Sequence, residues 1–149
     1  MPEDTDALLQ HYHQRREDLL AAIDGLSDAQ LSEPSLNGWS VKDHLAHLAV
    51  WDDIRALEVM RISAGYESAW PLSLDSDAYN ALLHPLMAPL SPDQVKWEVA
   101  RSRQALLDAI ASATPRGLDA PHYREAALRS THEAQHTGWI KRWRGERGY

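Results

Sequence analysis

Ser40-Val41-Lys42-Asp43-His44-Leu45-Ala46-His47-Leu48-Ala49-Val50-Trp51 opens the most sharply delimited helix of this chain. Ser40 is placed to accept from the amide of Asp43, and Asp43 to reach back as a short capping-box partner. Apolar residues then recur at helical spacing over residues 41–62, and Gly65 is placed to close the helix. Upstream, the pattern predicts a helix over residues 5–24 with Leu8, Tyr12, Leu19 and Ile23 on one stripe and Gly25 at its end. Downstream, residues 65–76 read as a loop, followed by a shorter helix over residues 77–84 limited by Pro85 and Pro89. Ser91-Pro92-Asp93-Gln94 supplies an N-cap, a proline at the first helical position and a glutamine at the third. The helix it opens carries Val95, Val99, Leu106 and Ile110 on one face and is stopped by Pro115 and Gly117. After a loop through Pro121, a last helix is expected over residues 124–144. No alternating run of β-branched and aromatic residues argues for a sheet, and there is no internal repeat. The expected fold is all-α, an up-and-down four-helix bundle with an extra short helix.

Composition narrows the function. With 149 residues, 44% of them hydrophobic, the chain suits one domain with a proper core, residues 1–149. The absence of cysteine excludes disulfides, thiolate zinc sites and a cysteine nucleophile, so any thiol chemistry needs an external thiol. A formal charge of −7 argues against nucleic acid as a partner, because phosphate binding needs a basic surface. The basic cluster Lys141, Arg142, Arg144 and Arg147 reads as a solvated helix end that complements the dipole. The acidic start Pro2-Glu3-Asp4-Thr5-Asp6 lacks a signal-peptide pattern, and no apolar run is long enough to span a bilayer. The expectation is a cytoplasmic protein with a small-molecule partner and no membrane partner. A homodimer through an exposed helix face is left open.

His132-Glu133-Ala134-Gln135-His136 carries the strongest hint of chemistry. At about 100° per residue the two histidines stand about 40° apart around a helix, on the side of Leu128, Trp139, Ile140 and Trp143. Imidazoles aimed into a bundle are costly unless something satisfies them, and a divalent metal would. The stretch matches the HExxH pattern of zinc peptidases, in which the glutamate is the general base. That reading lacks its third ligand: no histidine lies beyond His136, and Glu146, the lone downstream carboxylate, sits in a Gly- and Arg-rich tail. Another helix must complete the site. His44 and His47 are both available, three residues apart, and their spacing does not choose between them.

Gly38-Trp39-Ser40 through His47-Leu48, followed about 85 residues later by His132-x-x-x-His136 and Gly138, resembles the DinB/YfiT-like metalloprotein superfamily. The resemblance covers nearly the whole chain in helix order and length. It implies a helical bundle with His47, His132 and His136 as metal ligands and His44 as a bystander. Members of that superfamily often continue the last histidine with Arg-Gly-Gln; here Thr137-Gly138-Trp139 follows, a departure that leaves the triad intact. Three neutral nitrogen ligands suit Zn²⁺ or Ni²⁺ with open positions. The resemblance implies a thiol transferase or isomerase using mycothiol, bacillithiol or glutathione as co-substrate, or a hydrolase like the colibactin-protecting cyclopropane hydrolases. A non-catalytic metal- or ligand-binding bundle is the alternative, and a structural bundle without an ion the third reading.

The remaining candidates have plain structural readings beside the functional ones. Glu133 lies about 100° around the helix from His132, turned to solvent or to a partner of the ligands rather than to substrate. Glu58 follows His47 by eleven residues, about 20° off in rotation but about 16 Å along the axis. His11, His13, His84 and His122 read as surface residues, with His84 or His122 available to a pocket mouth. Trp39, Trp51, Trp139 and Trp143 are spaced to serve the core. Trp97 is not placed by its spacing, and Trp70, in the loop, is the candidate for a substrate lid.

Overall fold

The computed structural model describes residues 1–70 and 76–149; part of the expected loop over 65–76 therefore lies outside the described residues. Six α-helices follow in order: α1 (Thr5–Ile23), α2 (Asp28–Leu31), α3 (Val41–Ser63), α4 (Ser76–Met87), α5 (Pro92–Ala111) and α6 (His132–Arg147). Two 3₁₀ segments, Arg116–Leu118 and Ala120–Ala126, join α5 to α6. No strand occurs among the described residues beyond an isolated bridge between Leu36 and Trp39. No helix among them is long and apolar enough to cross a membrane.

Local chemistry accounts for the well-defined helix starts. Ser27, Ser40 and Ser91 each accept from the third helical amide while Gln30, Asp43 and Gln94 reach back to the cap amide. The first of these boxes opens α2, a single turn that periodicity alone does not reveal. The apolar stripes expected on α1 and α5 are buried throughout: Leu8, Tyr12, Leu19 and Ile23 on one helix, Val95, Val99, Leu106 and Ile110 on the other.

Several expectations are corrected. The last helix begins at His132 rather than near residue 124, because 120–126 winds as 3₁₀ helix with Arg124 and Ala127 at positive φ (50° and 44°). Leu128 is buried but precedes the helix. The same helix continues to Arg147 and stops where Gly148 turns left-handed at φ 73°. Pro85 does not end α4; the helix absorbs one missing amide on an exposed surface element and runs to Met87. Trp139, expected in the core, is 46% exposed, whereas Ile140 and Trp143 are buried. The basic end of α6 is also less solvated than expected, since Arg144 donates to the carbonyls of Ala22 and Asp24 at the end of α1.

The core consists of two apolar clusters. One contains Leu19, Leu31, Val41, Leu45, Val95 and Trp143; the other contains Leu8, Ala56, Ile62, Leu106, Tyr123 and Leu128. Along each long helix a charged residue stands between the two sets: Arg16 on α1, Asp52 on α3, Arg103 on α5 and Glu133 on α6, all buried. Arg16 reaches Glu133 at 2.7 Å and Asp52 at 2.9 Å. Arg103 reaches Asp52 at 2.9 Å and Glu133 at 2.6 Å. Their remaining guanidinium nitrogens donate to the carbonyls of Val99 and Tyr12, each at 2.7 Å. Two cations and two anions thus close a neutral ring that ties the four long helices together.

Candidate metal centre

Fixing Glu133 in that ring sets the rotation of α6. His132 and His136 then face α3, where the Ser40 cap starts the helix that presents His44 and His47. Nε2 of His47 stands 3.0 Å from Nε2 of His132, and Nε2 of His136 stands 3.0 Å from the same atom. One nitrogen from each of His47, His132 and His136 lies within 4.8 Å of the others. Nitrogens sharing one ion at bond lengths of about 2.0–2.1 Å stand about 2.8–3.4 Å apart, from right-angled to tetrahedral coordination. The two 3.0 Å pairs fall inside that interval, and the three-histidine group could hold a divalent ion.

The protonation states agree with a ligand role. Burial lowers His44 to about 4 and His132 to about 4, the latter helped by the Arg55 cation. Burial and then the neighbouring imidazoles lower His47 to about 3 and His136 to about 2. At neutral pH the cluster is therefore uncharged, with nitrogen lone pairs available to a metal. His44 is closer to the centre than a bystander: its Nδ1 is 2.8 Å from Nδ1 of His136, on the far side of that ring from the triad. A partner on the second ring nitrogen orients a ligand histidine and fixes its tautomer.

Trp39, Trp51 and Trp139 enclose the rings rather than fill the core, which takes only Trp143 of the four expected there. Leu36-Asn37-Gly38-Trp39 forms a tight turn closed by hydrogen bonds of 2.9 and 3.1 Å, with Asn37 and Gly38 both at positive φ (55° and 85°). That conformation suits Asn-Gly, and the dipeptide is the sequence signal that points to it. The turn sets Trp39 edge-on to His44 and His47, at 5.3 and 5.5 Å, and stacked on His84 at 5.0 Å. Trp139 meets His136 at 4.8 Å, and Trp51 meets His132 at 5.8 Å. Trp51 also holds Asn80 of α4 through its indole N–H and packs on Trp70 at 4.7 Å. Lys42 donates to the carbonyls of Ala88 and Leu90, which ties the end of α4 to the start of α3.

The triad opens on a cleft of about 740 Å³ between α3, α4 and α6, with His84 at its rim, one of the two histidines expected to be available to a pocket mouth. A second cleft of about 410 Å³ adjoins it across Asn80, Gln135 and His132, with Trp51 and Trp70 on its wall. Trp70, the residue expected as a substrate lid, lines this second cleft. His122 instead faces Asp119 and Arg116, and His11 bonds the Ser130 carbonyl at 2.9 Å. Glu58 takes no part in the centre; it accepts from the Ser68 hydroxyl and, at 2.8 Å, from the Ala69 amide. Of the two alternatives for Glu133, the buried one holds, but its partners are arginines rather than the histidines.

Spacing and resemblance make the triad legible, whereas Arg16, Asp52, Arg55 and Arg103 give no signal as buried residues. Arg16 and Asp52 stand beside other charged residues, Arg55 and Arg103 between uncharged ones, and in each case only the bundle shows which face the side chain takes.

No curated protein and no solved structure matches the chain. The family model described as DinB superfamily matches residues 11–140. That span takes in α3 with its cap, the histidine triad and most of every long helix, and the chain belongs to the DinB superfamily.

Proposed function

We propose that this protein is a divalent-metal-dependent enzyme acting on a small molecule, by transfer to a low-molecular-weight thiol or by hydrolysis. The observation that carries the reading is the convergence of His47, His132 and His136 at the floor of an open cleft. Structural metal sites are closed by protein ligands on every side, whereas catalytic ones keep a position for substrate. When bound, Zn²⁺ or Ni²⁺ supplies Lewis acidity that brings the pKa of a water or a thiol toward neutrality. The chain's own residues hold the three imidazoles neutral, orient His136 through His44 and wall the cleft with indole rings. The same reading includes a cytoplasmic setting and a small molecule as the only partner the site requires.

Elemental analysis of untagged protein tests it, wild type beside His47→Ala and His132→Ala. About one Zn or Ni per chain, lost in both variants, is expected, together with a higher melting temperature of the loaded wild type than of the chelated one. Wild type that stays empty after reconstitution overturns the metal reading. Loaded protein that is inert with and without mycothiol, bacillithiol or glutathione across a hydrolysis and transfer screen favours the binding bundle.

A further inference from the structure

Arg55 is 8% exposed and stands in the middle of α3, yet among the described residues it forms no ion pair. Its hydrogen bonds go to the carbonyls of Ala127 and Ala126, at 3.3 and 2.9 Å. The three carboxylates within one turn of it on its own helix are committed elsewhere; Asp53 pairs with Arg101. Asp52 serves Arg16 and Arg103, and Glu58 serves Ser68 and Ala69. A buried guanidinium whose described hydrogen bonds all go to carbonyls retains part of its desolvation cost, and an anion at the same place would offset it.

The surroundings offer that place. Arg55 lines the 410 Å³ cleft, which shares His132 with the triad and contains no acidic residue among the described ones that line it. Arg129 lines it too but is engaged by Glu3. The same cleft borders the first turn of α6, where Thr131 makes no side-chain cap and the Ser130 hydroxyl accepts from the His132 amide at 3.1 Å, and the positive end of that helix adds to the field of Arg55. Among the described lining residues the charged side chains are Arg55 and Arg129, both basic, in a chain of net charge −7. The carbonyls that Arg55 holds belong to the segment with Arg124 and Ala127 at positive φ, a conformation that L side chains rarely adopt and that the arginine helps to fix.

We infer that Arg55 forms an anion subsite beside the triad, and that the small molecule acted on carries a carboxylate, sulfonate or phosphate seated against Arg55 while its reacting end reaches His132. This rests on the metal-centre reading only for what lies at the other end of the ligand.

Benzoate and its neutral isostere benzamide probe the subsite through the fluorescence of Trp51 and Trp70, on the full chain as purified and after chelation. The chelated protein is expected to prefer benzoate by about tenfold, the scale of one charge-assisted hydrogen-bonded pair. Arg55→Gln should abolish the preference, Arg55→Lys should keep part of it, and Arg129→Gln should leave it intact. Equal affinities in wild type, or a preference that survives Arg55→Gln, overturns the assignment. Should Arg55→Gln fail to fold, ¹⁵N-arginine spectra of wild type decide, with Arg55 assigned through Arg55→Lys: benzoate must move the Arg55 Nε–H signal and benzamide must not. With the metal stripped, the result is independent of whether the triad binds an ion.

Discussion

His136 shows how much a single side chain can be asked to do. One ring nitrogen faces His44 at 2.8 Å and the other faces His132 at 3.0 Å, so protonating it places a charge among three imidazoles with little water nearby. The unfolded chain has no such restriction, and its histidines take up protons near the ordinary value of about 6.5. In the metal-free protein the folded state therefore binds fewer protons than the unfolded one as pH falls, and stability must fall with it. The loss is expected to begin below about pH 6.5 and to deepen toward about 4, where His44 and His132 begin to charge in the folded protein. Urea midpoints at pH 7.5, 6 and 5 check this; the decline should be shallower in His47→Ala, and a midpoint independent of pH over that range refutes it. The triad is legible in the amino-acid sequence because helical periodicity puts His132 and His136 on one face and the family pattern selects His47. Arg55 is not, because its meaning lies in which carboxylates fail to reach it.

At the level of single elements, α3 is both the centre's scaffold and the part most plainly written in the sequence. Its cap is local, set by Ser40 and Asp43 at 2.9 and 3.1 Å, and local chemistry survives whatever the rest of the chain does. Ser40→Ala should cost about 1 kcal/mol by urea unfolding. Because Ser40 follows Trp39 directly, fraying there should also loosen the indole over His44 and His47, visible as altered tryptophan fluorescence; unchanged stability and emission would deny the cap that role. The start of α6 is not legible, for the opposite reason. Residues 120–126 carry no strong local signal beyond Pro121, and their 3₁₀ winding is secured from outside the segment. Tyr12 bonds the Leu128 carbonyl, Arg55 holds the carbonyls of Ala126 and Ala127, and Tyr123 bonds the Gly117 carbonyl. Gly117, expected only to stop a helix, also admits a close approach: a Cβ there would lie 1.9 Å from the Ser63 hydroxyl oxygen.

Over the whole molecule, the number and kind of long helices follow from hydrophobic spacing, but their mutual rotation does not. That rotation is visible in the ring of Arg16, Asp52, Arg103 and Glu133. Removing one partner leaves an uncompensated charge between two apolar clusters, so Asp52→Asn should destabilise the protein by about 3–5 kcal/mol, a large fraction of a typical domain's total. Chemical denaturation measures it directly, and a loss under about 1 kcal/mol would show the ring to be dispensable. The ring has a further consequence for how the chain finds its structure. Every long helix contributes one charge, and each arginine touches both carboxylates, so no two or three helices can complete it. A bundle assembled with a helix out of place, or turned by one residue, strands an ion in oil. The quartet thus acts as a proofreading step in assembly that one arrangement passes, and the same arrangement brings His132 and His136 into register with His47.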